Sequence, residues 1–128
     1  MTIRIVRLGT GRAPDEGPRL GTVRRPPRGV PKTEFSSGNW YDVWYPVLAP
    51  TADLMKTAFA AKTEKQWAAF FRKFRSEMNA PAASQSLDVL ATLSKGADFS
   101  LGCYCADEAH CHRSQLRALL LERGAEVE

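Results

Sequence analysis

The sequence predicts an α/β fold: a single compact domain over residues 1–128, with a small, mainly parallel sheet flanked by helices. Three observations predict it. Segments with the two-residue alternation of strands give way to segments of helical period. One helical segment sets Trp67, Phe70, Phe71, Phe74 and Met78 on a single face, enough to form one side of a core. The least evenly distributed residues, all three Cys and both His, fall between Cys103 and His112, after a strand pattern and before a helix pattern. That is where open α/β sheets bind ligands. At 128 residues and 14.2 kDa the chain supports one such core and needs no disulfide staples.

Ile3 to Leu8 alternates apolar and basic residues and reads as the first strand. Gly9-Thr-Gly11 follows with no helix pattern behind it. It therefore reads as a turn, since a phosphate loop needs a helix N-terminus to hold its anion. Leu20 to Val23 reads as a short second strand, and Pro26, Pro27 and Pro31 bar regular structure after it. Asn39 to Pro50 gathers Trp40, Tyr41, Trp44 and Tyr45, a set that suits a core or pocket wall better than base stacking. Thr51 caps a short helix running to Ala61, and Thr63 with Gln66 forms a capping box for the next. Arg72, Lys73 and Arg75 fall on the outer side of that second helix. Pro81 is expected to stop it, with Ser84 or Ser86 starting another that buries Leu87, Leu90 and Leu93 and ends at Gly96. Asp98 to Cys105 reads as a strand with Phe99, Leu101 and Cys103 on one face, in which Gly102 either weakens pairing or admits a close neighbour. A loop, ADEAHC, leads to a last helix with Leu116, Leu119 and Leu120 inside and Gly124 at its end, and Val127 begins a short final strand.

Three Cys is an odd number, and Cys103 and Cys105 are too near in sequence to bridge comfortably, which speaks against a secreted disulfide scaffold. The first residues, MTIRIVRLGTGR, lack the apolar run of a signal peptide, and no segment approaches the roughly 20 apolar residues of a membrane span. These features predict a cytoplasmic protein without a membrane partner. The formal net charge of +4 is concentrated at one end: residues 1–32 carry eight basic residues against Asp15 and Glu16, and the remainder, residues 33–128, is slightly acidic. Seven of those eight are Arg, whose planar fork suits phosphate or carboxylate. The alternatives are a solubilising surface or pairing with acids elsewhere in the fold.

Two chemistries compete for the segment Cys103-Tyr-Cys105-Ala-Asp-Glu-Ala-His110-Cys111-His112-Arg113-Ser114. One is a metal site for zinc or iron through Cys103, Cys105, Cys111 and His110, since thiolates and imidazoles suit both ions. Against it, the first Cys pair is closer than in most structural zinc sites, and adjacent Cys111 and His112 are awkward joint ligands of one tetrahedral ion. The other is anion binding or thiol chemistry at a helix N-terminus near Cys111–Ser114. There free backbone N–H groups, Arg113 and the Ser114 hydroxyl would face an anion. Cys111 would be the nucleophile and His112 its proton partner. A small core residue on a buried strand remains the plainer account of Cys103.

The pieces VRRPPRGVPK (Val23–Lys32), WYPVLAPT (Trp44–Thr51), WAAFFRKFRSEM and LGCYCADEAHCHRSQL, in that order and spacing, resemble the YeaO-like family, the domain of unknown function numbered 488. The resemblance covers most of the chain and places it with a branch that keeps the Cys-His-Arg loop. It implies a compact α/β domain in which the Arg-Gly segment approaches that loop. It carries over Arg28, Cys103, Cys111, His112 and Arg113, and brings no established reaction. Relatives without these Cys residues imply that a metal is not needed for folding across the family.

The leading expectation is a pocket for a phosphorylated or otherwise anionic small molecule. Cys111, His112 and Arg113 would be its catalytic groups, and Arg24, Arg25, Arg28, Ser114, Trp44 and Tyr45 would line it. The metal site is the second expectation. A nucleic-acid-binding module driven by the basic segment is the third.

Overall fold

A computed structural model describes residues 1–128. Four strands, β1 (Ile3–Arg7), β2 (Arg19–Gly21), β3 (Val43–Trp44) and β4 (Phe99–Cys103), form one sheet in the order β1-β4-β2-β3, with every pairing parallel. Four helices, α1 (Ala52–Ala60), α2 (Glu64–Glu77), α3 (Pro81–Leu93) and α4 (His112–Glu122), complete a mixed α/β domain. No helix is long and apolar enough to cross a membrane.

The last strand in the chain is central in space. β4 lies between β1 and β2, with Ile3 opposite Phe99 and Leu20 opposite Leu101, and all five of its residues are buried. A parallel strand covered on both faces is expected to be continuously buried in this way. Phe99 and Leu101 join the main core with Phe70, Phe74, Leu87, Leu90, Leu116 and Leu120 from the helices. Ser100 and Gly102 point the other way, toward the coil after β1. The Ser100 hydroxyl donates to the Glu16 carbonyl, and a Cβ on Gly102 would overlap the Leu8 side chain. Gly102 is therefore a point of close approach.

Several boundaries differ from the sequence expectations. β2 covers Arg19–Gly21 rather than Leu20–Val23, and β4 stops at Cys103, so Tyr104 and Cys105 already belong to the loop. The first three strands are joined by coil, broken between β2 and β3 by one 3-10 turn (Lys32–Glu34), and α1, α2 and α3 follow in one run between β3 and β4. Val43–Trp44 is an unexpected edge strand. Of the aromatic cluster around it, Tyr41 is buried, whereas Trp44, in the strand itself, is 44% exposed.

Pro81 starts α3 rather than only ending α2, because the first helical turn does not use the N–H that proline lacks. The buried face of α3 is Ala83, Leu87, Leu90 and Ala91, which rotates Leu93 out to 51% exposure. The capping box forms as its residues suggest, with Gln66 N donating to Thr63 Oγ1 and Thr63 N donating to Gln66 Oε1. Arg75, expected on a solvated face, instead ties α2 to α4 through Gln115 and Glu122. Gly124 takes a left-handed φ of 78° after α4, and Val127 makes a parallel bridge to Ile3.

Candidate functional site

β4 delivers Cys103 into a second, smaller apolar cluster with Leu8, Val23, Tyr41 and Cys111, at the C-terminal end of the sheet. The loop beyond it returns through a short 3-10 turn, Glu108–His110. Asp107 caps that turn by accepting from Ala109 N, and Arg117 grips Glu108 from α4. Cys111 is the N-cap of α4 with extended backbone (φ −150°, ψ 150°), and His112 is the first helical residue. This change of backbone direction lets two consecutive side chains converge, so that Cys111 Sγ lies 3.7 Å from His112 Nδ1. Cys103 Sγ lies 3.7 Å from Cys105 Sγ. The donor atoms of Cys103, Cys111 and His112 all fall within 4.8 Å of one another, and all three residues are buried.

Hydrogen bonds decide the state of these groups. His112 Nε2 lies 2.7 Å from the Thr22 carbonyl oxygen, which obliges Nε2 to carry a proton and donate it. Nδ1 is thereby turned toward the sulfurs. Cys111 is the thiol most disposed to ionise. Hydrogen bonds from the Cys103 and Cys105 thiols outweigh its burial and, with His112, push its pKa down. The same bonding raises Cys103, with burial adding to it.

Arg113 is 3% exposed, donates one hydrogen bond from Nη2 to the Cys105 carbonyl at 2.7 Å, and leaves its Nε without a partner. No carboxylate pairs with it. A buried cation needs a compensating charge, and the anions this site can offer are thiolates.

A cavity of about 380 Å³ opens beside the cluster, beyond the ends of β2 and β4. Cys103, Cys105 and His112 line one side of it, Val23, Arg24 and Arg25 another, and Met55, Lys56 and Phe59 of α1 a third. Arg24 is held in place by the carbonyls of Pro46, Ala49 and Pro50, so its charge is fixed at the wall. Tyr104 joins the lining and donates its hydroxyl to the Arg25 carbonyl, which ties the coil after β2 to the loop at Arg25. The lining contains no Asp or Glu.

The expected anion seat at the start of α4 is closed. Cys111, His112 and Arg113 are buried, the Ser114 hydroxyl and amide both donate to the Cys111 carbonyl, and Arg113 turns to Cys105. Of the expected lining residues, Arg24 and Arg25 face the cavity. Arg28 is exposed and does not line it. Trp44 donates its indole N–H to the Val23 carbonyl behind that wall, and Tyr45 packs on the main core. Cys111 lies behind Cys103 and Cys105 and does not itself line the cavity.

His110 stands apart from the thiols. It stacks on Trp67 at 4.9 Å between ring centroids and bonds Glu64 at 3.0 Å, so His112 is the imidazole that joins the sulfurs. The cavity residues the sequence did not single out as site residues include Tyr104, Met55, Lys56 and Phe59, and away from the cavity wall it did not single out Thr22, whose carbonyl holds His112. Met55 and Phe59 sit four apart on a helix that buries only Leu54, and that spacing was the available signal for them.

The family model DUF488-N3a, described as the active DUF488-N3 subclade, matches residues 3–124. No curated protein and no solved structure matches the chain.

Proposed function

The chain belongs to the DUF488 family, and we propose that it binds an anionic organic molecule in the cavity beside its thiols and acts on it through the sulfur–imidazole centre. The observation that carries this reading is the composition of the cavity wall: Arg25 and Lys56, with the carbonyl-bound charge of Arg24 behind them and no carboxylate, next to two sulfurs and an imidazole. Val23, Met55 and the 82% exposed Phe59 add an apolar or stacking surface, which suits an anion with an organic body better than a bare inorganic ion. The family's description as an active subclade favours chemistry over a purely structural role. Cys105, half-buried at the cavity, is the sulfur a ligand would meet. Behind it stand Cys111, the thiol most disposed to ionise, and His112, and Arg113 stabilises negative charge on the sulfurs.

A small molecule is favoured over nucleic acid. Of the eight basic residues in the first quarter, Arg4, Arg7, Arg12, Arg19 and Arg24 are engaged by the protein's own acids and carbonyls. Arg25, Arg28 and Lys32 alone form no track for a phosphate backbone.

Alkylation of the reduced, chelator-treated protein tests the reading, using anionic iodoacetate against neutral iodoacetamide with the modified Cys read by mass spectrometry. Cys105 is expected to react first, and its iodoacetate-to-iodoacetamide rate ratio to exceed that of glutathione at low salt. Lys56→Ala or Arg25→Ala should each lower that ratio, by up to about 5-fold for an exposed charge contact. A ratio equal to that of glutathione at low salt would remove the anion reading.

A further inference from the structure

The three sulfurs and the imidazole permit a step beyond ligand binding, one that needs no molecule in the cavity. We infer that Cys103, Cys105, Cys111 and His112 hold a thiophilic divalent metal ion of tetrahedral preference, zinc before others, through three thiolates and Nδ1 of His112.

Distances come first. A tetrahedral ion with sulfur at about 2.3 Å and nitrogen at about 2.1 Å sets its sulfurs about 3.8 Å apart and sulfur about 3.6 Å from nitrogen. The chain places Cys103 and Cys105 Sγ 3.7 Å apart, and Cys111 Sγ 3.7 Å from His112 Nδ1. Cys103, Cys111 and His112 form the tight part of the seat, with donors within 4.8 Å. Cys105 lies outside that 4.8 Å set, but its Sγ is 3.7 Å from that of Cys103 on the cavity side, and it is the fourth ligand of the inferred site.

The surroundings agree in two independent ways. His112 donates Nε2–H to the Thr22 carbonyl at 2.7 Å, which is the outer bond that metal-ligating imidazoles make to fix the ring, and it leaves Nδ1 as the nitrogen turned to the sulfurs. The charges also close. Three thiolates and a dication leave one negative charge, and Arg113, buried with no carboxylate partner, supplies one positive charge beside Cys105. Consecutive Cys111 and His112 serve one ion because the N-cap turn sends their side chains to the same point. His110, stacked on Trp67, takes no part.

The test uses the full chain, purified without added metal and analysed for zinc and iron, then stripped under reductant and titrated with Co²⁺. One bound metal ion per chain is expected. Cobalt should saturate at one equivalent, with the intense visible bands of a tetrahedral site and sulfur-to-cobalt charge transfer in the near ultraviolet. All three thiols should react slowly with a thiol-reactive disulfide in the loaded protein and quickly after chelation. Cys105→Ser, a change at the least buried ligand, should keep one cobalt but lose about a third of the charge-transfer intensity, since one of three thiolates is gone. Full intensity in that variant would overturn the four-ligand set. A protein free of stoichiometric metal, whose cobalt spectrum is that of the aquo ion, would overturn the site altogether and assign the 3.7 Å contacts to S–H hydrogen bonds. The alkylation ratio is read on the metal-free protein, so that result would leave the anion reading standing.

Discussion

Arg19 and Arg113 are both guanidinium groups removed from water, at 0% and 3% exposure, yet their surroundings have little in common. Arg19 makes five hydrogen bonds, two to the Glu16 carboxylate and three to the carbonyls of Thr10, Gly11 and Asn39. Every donor direction of the fork is used and its charge is neutralised by a carboxylate at 2.7 Å. Arg113 makes one bond, keeps an orphan Nε and faces sulfur. The first arrangement is complete in itself and stitches the coil after β1 to β2. The second is electrically incomplete unless the thiols beside it are ionised. The difference separates a cation that builds the fold from one that conditions a site.

Breaking Arg19 should have the largest effect. Arg19→Met strands Glu16 as a buried, unpaired carboxylate and should cost about 3–5 kcal/mol of stability in urea unfolding. Arg19→Met with Glu16→Leu should recover much of that, because the stranded charge is removed with its partner.

Arg113→Met should cost less, about 1–3 kcal/mol, since one carbonyl bond and an electrostatic partner are lost. The sharper comparison is a double-mutant cycle. Arg113→Met and Cys105→Ala should couple by roughly 0.5–3 kcal/mol, as neighbours in one network do, whereas Arg19→Met and Cys105→Ala should add. Additivity in both cycles would remove the electrostatic link between Arg113 and the thiols.

Asp42 gives a smaller, pH-dependent contrast within the arginine-rich region. Partial burial pushes its carboxyl up, but hydrogen bonds from Arg12, Ser36 and the Arg19 amide more than offset that and hold its pKa at about 2. Because the folded value lies below the ordinary 3.8, Asp42 contributes stability above that pH and loses it as pH falls toward 2. After solvent screening the contribution is about 1 kcal/mol. Asp42→Asn should flatten that limb of an acid titration followed by circular dichroism.

Arg28→Ala should do least. The side chain is exposed and outside the cavity, so stability should change by less than about 0.5 kcal/mol, and the alkylation ratio at Cys105 should stay as it was.

Much of the fold was legible because its signals are local. The Thr63 capping box, the Phe70–Phe74 face, the Leu116–Leu120 stripe and the φ of Gly124 each depend on residues within a turn or two. What was not legible depended on partners distant in sequence. Nothing near Leu93 says that the phase of α3 is set by Ala83, Leu87 and Ala91. Nothing near Arg75 announces Gln115 and Glu122. In the site, the decapeptide from Cys103 to His112 was conspicuous, but its two His residues could not be told apart. Trp67 and Glu64 draw His110 away, and the Thr22 carbonyl fixes His112, and both partnerships cross more than forty positions of sequence.

By itself the sequence determined the class of the molecule: one α/β domain, helices where period and caps coincide, and sulfur, imidazole and arginine gathered after a strand. Only the tertiary structure decided what those groups do to one another. It closed the start of α4 against an anion, opened a cavity beside it, engaged five of the eight N-terminal cations internally, and left Arg113 with thiols for company. The physical reason is that helix period, capping and turn chemistry are short-range properties of a chain. Charge compensation and ligand geometry are set by distances of a few ångströms between residues that the chain itself keeps far apart.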